Sequence, residues 1–99
     1  MEDLDDVARQ LERLTADPLA DAVAASIRIL AASEPGPRGR YQECQLEVLA
    51  EGPGIEPTRV TTAVVTTRRH WPRVGAVLPA RVSVSDPRVL DVNWDALAD

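Results

Sequence analysis

The sequence predicts a mainly β (α+β) protein: an N-terminal amphipathic helix followed by a small antiparallel five-stranded curled sheet or partly open barrel. Three patterns support this fold class. Apolar and polar residues alternate over residues 41–50, as in a strand with one buried face. Residues 59–67 are β-branched at seven of nine positions, the highest strand propensity in the chain. Two further apolar runs flank a Ser85-Asp86-Pro87 turn, and short strands joined by Gly/Pro turns are typical of small barrels.

Residues 1–16 are predicted to form an acidic amphipathic helix. Its apolar positions recur every three or four residues and therefore share one face: Leu4, Val7, Leu11 and Leu14. Acidic residues crowd the first turn, where they complement the helix dipole. Because so short a helix is marginal alone in water, its apolar face needs a partner, either its own domain or another chain. In the second case these four residues bind the partner.

Residues 17–99 are predicted to form a single small β-domain. Its first segment, residues 18–32, fits two interpretations, since Asp17-Pro18 is a favourable helix start but the residues from Val23 to Ile29 alternate as in a strand. The other predicted strands are residues 41–50, 59–67, 77–84 and 89–94, and residues 95–99 are expected to fray. The positions predicted to face inward are Cys44, Leu46 and Val48, then Leu78, Ala80, Val82 and Val84, then Leu90, Val92 and Trp94.

Two prolines constrain where these strands lie. Because proline lacks an amide hydrogen, Pro79 is expected at a sheet edge, a strand start or a bulge. Glu56-Pro57 is expected to keep the strand that follows the Gly52-Pro53-Gly54 turn from starting early.

The C-terminal hairpin carries two short motifs, Gly75-x-x-Leu78-Pro79-x-Arg81-Val82 and Asp86-Pro87-x-x-Leu90-x-Val92-x-Trp94. It resembles an uncharacterised bacterial β-domain family that is common in actinobacteria. The family's first strand looks like Ile27-Arg28-Ile29-Leu30, so the resemblance implies that residues 22–31 are a strand. The chain departs from the family at Ser83-Val84, where an Asp-Pro usually stands. The family carries no known activity, and the resemblance therefore implies no catalytic residue.

Composition predicts one cytoplasmic domain with no direct membrane insertion. The 99 residues fit a single small core. One cysteine, Cys44, excludes an internal disulfide, as expected in a reducing compartment. No apolar run approaches the ~20 residues that span a bilayer, and the N-terminus is acidic where a signal peptide would be basic.

Charge is divided unevenly along the chain. The net charge of −5 combines residues 57–85, which carry five arginines and no acid, with an acidic remainder. Residues 1–17 alone hold six acidic and two basic residues. Such asymmetry bears on partners and association rather than on fold.

The sequence contains no catalytic constellation. One histidine and one cysteine cannot form a conventional zinc site, and no cofactor motif is present, so neither an enzyme nor a cofactor is predicted. The candidate site is the loop over residues 68–73, where arginines surround an aromatic ring: Arg68, Arg69, Trp71 and Arg73. Arg59 and Arg81 would extend it if their strands are neighbours.

Three interpretations of this loop stay open. Trp71 packs over one end of the barrel and the arginines are merely solvated, or the loop binds a protein, or it binds single-stranded nucleic acid. The overall acidity of the chain weighs against nucleic acid. The predicted function is therefore a non-enzymatic protein-interaction or assembly module, self-association included, and the alternative is a small-barrel module that binds single-stranded nucleic acid.

Overall fold

Five antiparallel strands form one sheet that curls into a half-barrel, in a computed structural model that describes residues 18–98. The strands are β1 (Ala22–Ala32), β2 (Gln42–Gly52), β3 (Ile55–Thr66), β4 (Val77–Ser83) and β5 (Leu90–Val92). Their order across the sheet is β3-β2-β1-β4-β5. Two short 3-10 helices complete the described chain, Arg68–His70 and Trp94–Ala98. The prediction of a mainly β protein with a curled five-stranded sheet is confirmed. The predicted helix over residues 1–16, with Leu4, Val7, Leu11 and Leu14, lies outside the described residues.

The ambiguous segment is the central strand of the sheet. β1 pairs with β2 along one edge and with β4 along the other. Ile27 and Ile29 are almost fully buried at its centre. A helix starting at Pro18 would satisfy its own backbone but leave β2 and β4 each without a partner along the edge that β1 occupies, so the helical interpretation is wrong. A bulge between Ile29 and Ala31 then shifts the register against β2.

The core lies on the inner face of the curled sheet. Its buried members are Ile27, Ile29, Cys44, Leu46, Val48, Ala50, Ile55, Val60, Leu78, Ala80, Val82 and Val92. The inward positions predicted for β2 are confirmed, as are the first three predicted for β4. The fourth is wrong, because β4 ends at Ser83 and Val84 is 44% exposed.

Ser83, the last residue of β4, is buried, and a carboxylate satisfies its hydroxyl. Ser83 Oγ donates to Asp21 Oδ1 at 2.6 Å, and the backbone N–H of Ser85 donates to Asp21 Oδ2 at 2.9 Å. These hydrogen bonds from Ser83 and Ser85 lower the pKa of Asp21 to about 2. Asp21 thereby ties the start of β1 to the turn between β4 and β5.

Both prolines lie inside strands, contrary to the sequence expectation. β3 begins at Ile55, so Pro57 does not delay it. It is tolerated there because β3 is an edge strand. Pro79 is the third residue of the interior strand β4, not at an edge, a strand start or a bulge. Its carbonyl accepts from Asn93 N at 2.9 Å, so its nitrogen faces the same side, where β5 has already ended at Val92.

The C-terminal residues are ordered by packing. β5 ends at Val92 instead of at Trp94, and residues predicted to fray form the 3-10 helix Trp94–Ala98. Trp94, Ala96 and Leu97 pack against the core from this helix, which explains why it persists. Leu90 and Val92 also contact the core, as their predicted shared face requires.

Substitution at two adjacent residues of β1 tests the strand assignment. We expect Ile29→Ala to lower the free energy of unfolding by about 2–5 kcal/mol, because it empties a buried site. Leu30→Ala, on the opposite face, should cost less than half as much. Urea denaturation measures both. A helix with Leu30 on its buried face would give the reverse order.

Removal of the Asp21 carboxylate should change how stability depends on pH. Its pKa in the folded chain, about 2, lies below the ordinary value of 3.8, so it stabilises the fold above 3.8, and the stabilisation is lost as pH falls towards about 2. We expect Asp21→Asn to be less stable than the wild type at pH 7 but nearly equal to it at pH 2, in urea denaturation. Glu34→Gln, in an exposed loop, is the matched control. An equal difference at both pH values would contradict the role of the carboxylate.

Candidate partner-binding groove

The basic loop over residues 68–73 is anchored to the loop that joins β1 to β2. Its first half forms a single 3-10 turn, with His70 N donating to Thr67 O at 3.1 Å. The Arg68 guanidinium donates to the carbonyl of Gly36. Trp71 Nε1 donates to the carbonyl of Ser33 at 2.7 Å. These two contacts fix the orientation of the loop at one end of the half-barrel.

Trp71 is part of this anchor. Its ring is half-buried and packs against the core, and Pro72 beside it is buried. Because the ring is half-buried, only part of its face remains accessible. The structure therefore shows the packing of Trp71 over the barrel end.

A groove lies between this loop and the C-terminal 3-10 helix, with a volume of about 450 Å³. We call it the rim groove. Its first wall is the basic loop, its floor is the start of β4, and its second wall is the C-terminal helix. The lining residues are Arg69, His70, Trp71, Arg73, Ala76, Val77, Leu78, Ala96, Leu97 and Ala98.

The rim groove combines positive charge with an apolar floor. Arg69 and Arg73 are exposed, and neither forms an ion pair with a residue in the range 18–98. Leu78 is buried in the floor, and Val77 beside it is 51% exposed. No carboxylate belongs to the described lining. The groove therefore suits a negatively charged ligand that also carries apolar side chains.

The two arginines expected to extend this surface do not do so. β3, which carries Arg59, and β4, which carries Arg81, are separated by two strands. Arg59 Nη1 bonds to Glu47 Oε1 at 3.1 Å on the outer face. Arg81 lies opposite Asp91 in the β4–β5 register. The condition for the extension, neighbouring strands, is not met because the order of strands in the sheet does not follow their order along the chain.

Arg40 and Tyr41 were missed by the sequence interpretation. They line a second cavity of about 400 Å³ that also includes Arg69 and His70. Tyr41 is 66% exposed, and the Arg40 guanidinium lies 5.7 Å from the centre of its ring. The pairing of β2 with β3 brings them here, since Gln42 lies opposite Thr66. A hairpin drawn from the two predicted strands would have placed Tyr41 beside Thr67.

The single cysteine and histidine do not form a shared site. Cys44 is fully buried, and its thiol donates to the carbonyl of Ser33 at 3.7 Å. His70 lies on the rim, with Nδ1 3.4 Å from Thr67 Oγ1. Within residues 18–98, no group of three or more His, Cys, Asp or Glu side chains is placed to bind a metal ion. The same part of the chain contains no helix with the length and hydropathy needed to cross a membrane.

The chain matches no protein-family model, no curated protein and no solved structure. The resemblance of residues 75–94 to the actinobacterial β-domain family therefore stays a prediction.

The anchoring role of Trp71 predicts a graded loss of stability. We expect Trp71→Phe to cost about 0.5–1.5 kcal/mol, because the Ser33 carbonyl loses the hydrogen bond from the indole N–H while the ring still packs. Trp71→Ala should cost about 3 kcal/mol or more, since the packing is lost as well. Denaturation curves measure both, and Tyr41→Phe, at an exposed ring, should change little. An unchanged Trp71→Ala variant would show that the ring is not an anchor.

Proposed function

We propose that this protein is a non-enzymatic interaction or assembly module whose rim groove binds an acidic amphipathic helix. The observation that carries the proposal is the pairing, in one groove, of two arginines without ionic partners among the described residues and an apolar floor without carboxylates. Helix-in-groove binding needs both features: an apolar floor for the helix face and charge at the rim to set its orientation.

The chain itself contains a segment of the required chemistry. Residues 1–17 combine four aliphatic side chains at helical spacing with a net charge of −4. The proposed ligands are this segment from a second copy and helices of the same character on other proteins. Complementary patches on one chain favour self-association.

The apolar contacts supply most of the affinity in this proposal. Burying a leucine side chain contributes about 1.5–3 kcal/mol, whereas an exposed ion pair with Arg69 or Arg73 contributes at most about 1 kcal/mol. The arginines mainly speed association and select acidic ligands. Binding should therefore weaken in high salt without being lost.

We also propose a cytoplasmic location, which is supported by the single reduced cysteine, Cys44.

A labelled peptide tests the groove. We expect a fluorescent peptide of residues 1–17 to bind the full-length protein in an anisotropy titration, and to bind an Arg69→Ser/Arg73→Ser variant at least about tenfold more weakly. Arg88→Ser is the matched control, because Arg88 lies outside the groove and pairs with Asp86. A peptide with Leu4 and Leu11 replaced by serine keeps the charge and should bind weakly. Equal binding of both peptides, or no binding of either, would contradict the proposal.

Single-stranded nucleic acid remains a second candidate because of the cavity beside the groove. Tyr41 offers an exposed ring for base stacking, and Arg40 and Arg69 line the same cavity. The stacking residue is then Tyr41 rather than Trp71.

A labelled thymidine oligonucleotide separates the two candidates. If this second function holds, the oligonucleotide binds at low salt, and Tyr41→Ala weakens the binding while Arg88→Ser does not. Absence of binding at high micromolar protein would remove nucleic acid as a ligand.

A further inference from the structure

We infer that the edge of β3 that has no partner strand within residues 18–98 pairs with the same edge of a second copy, forming a continuous antiparallel sheet across two chains. The inference does not depend on the rim groove. It rests on the backbone groups of β3, on the contrast between the two edges of the sheet, and on a register that satisfies both copies.

Successive residues of a strand direct their backbone N–H and C=O groups to opposite sides, and this alternation identifies the groups of β3 that point away from β2. Ser33 N donates to Gln45 O, so Gln45 faces β1 and its neighbours Cys44 and Leu46 face β3. Their partners Val64 and Thr62 are therefore the hydrogen-bonded positions of β3. The alternate residues direct both N–H and C=O away from the sheet: Arg59, Thr61, Ala63 and Val65. None of these backbone groups bonds to the backbone of another residue within 18–98.

The two edges of the sheet differ in how they limit pairing. β5 contains three residues and is followed closely by the C-terminal 3-10 helix, so it offers few backbone groups for pairing with another strand. β3 contains twelve residues. Natural edges are usually blocked by prolines, lysines or bulges. Here Pro57 blocks only the first part, and Arg59 is the one charged side chain between it and the end of the strand.

In one pairing register, all four outward residues form backbone hydrogen bonds with the second copy. With Thr62 on the two-fold axis, Thr61 lies opposite Ala63 of the second copy and Arg59 lies opposite Val65, and each such pair exchanges two hydrogen bonds. Val65, which is 63% exposed in the single chain, becomes covered.

Charge favours the same register. The two Arg59 side chains lie at opposite ends of the new ladder, which avoids direct repulsion. Each one keeps its ion pair with Glu47 of its own chain. Glu43 of the other copy lies two strands away on the same face, beside Val65 in the β2–β3 register, so the nearest charge across the new ladder is of opposite sign. A second copy is therefore the occupant that the edge fits.

An engineered disulfide tests the register. On the two-fold axis the two Thr62 residues form a non-hydrogen-bonded pair with Cα atoms about 4.5 Å apart, close enough for a disulfide. We expect Thr62→Cys to form a cross-linked dimer under mild oxidation. Thr58→Cys lies on the same face of β3, but in this register it is far from the equivalent cysteine of the second copy, so it should not form a cross-linked dimer. The wild type, whose one cysteine is the buried Cys44, is the control for cross-linking through that thiol. Cross-linking of Thr58→Cys as readily as Thr62→Cys would overturn the register.

Hydrogen exchange and mass measurement test pairing on the unmodified chain. At concentrations where light scattering shows a dimer, the amides of Thr61, Ala63 and Val65 should be protected, and dilution should expose them while Thr62 and Val64 stay protected. Ala63→Pro removes one outward N–H without touching β2 and should weaken the dimer about tenfold or more. The Arg69→Ser/Arg73→Ser variant should dimerise through this edge as the wild type does. A wild type that stays monomeric at millimolar concentration, with freely exchanging outward amides, would overturn the inference.

Discussion

Two-sided pairing of β1 is the constraint on which the rest of the structure depends. β1 supplies hydrogen bonds to β2 and to β4, and its buried isoleucines contribute to a core built from both halves of the chain. Without it the β2–β3 hairpin and the β4–β5 hairpin would be separate ribbons, each marginally stable in water. The position of the rim groove follows from this pairing, because the floor residues Val77 and Leu78 lie opposite Arg28 and Ile27 of β1.

Specific polar contacts then fix the two ends of the half-barrel. At one end Asp21 holds Ser83 and Ser85, which stops β4 and sets the turn into β5. At the other end Trp71 and Arg68 bond to carbonyls of the β1–β2 loop. These contacts leave Arg69 and Arg73 at the groove with no ionic partner among residues 18–98. The anchoring residues and the residues proposed to bind a partner are thus neighbours in the same loop.

The proposed surfaces differ in the physical interaction that each one uses. The rim groove offers apolar side chains with positive charge, and the proposed binding of acidic amphipathic helices there depends on salt. The edge of β3 offers backbone hydrogen bonds, which are insensitive to side-chain charge and depend on register. If both proposals hold, one surface joins sheets and the other binds helices.

The sequence by itself determined the strands with strong local signals. Alternation in β2 and β-branched residues in β3 located them to within a few residues, because one buried face imposes a period of two. Tertiary structure decided what local patterns leave open. β1 is a strand because partners flank it on both sides, and Pro79 is accommodated because β5 ends beside it. Strand order placed Arg59 and Arg81 apart, because neighbours that are distant in sequence arise only when the sheet assembles. The β2–β3 hairpin brought Arg40 and Tyr41 to the basic loop.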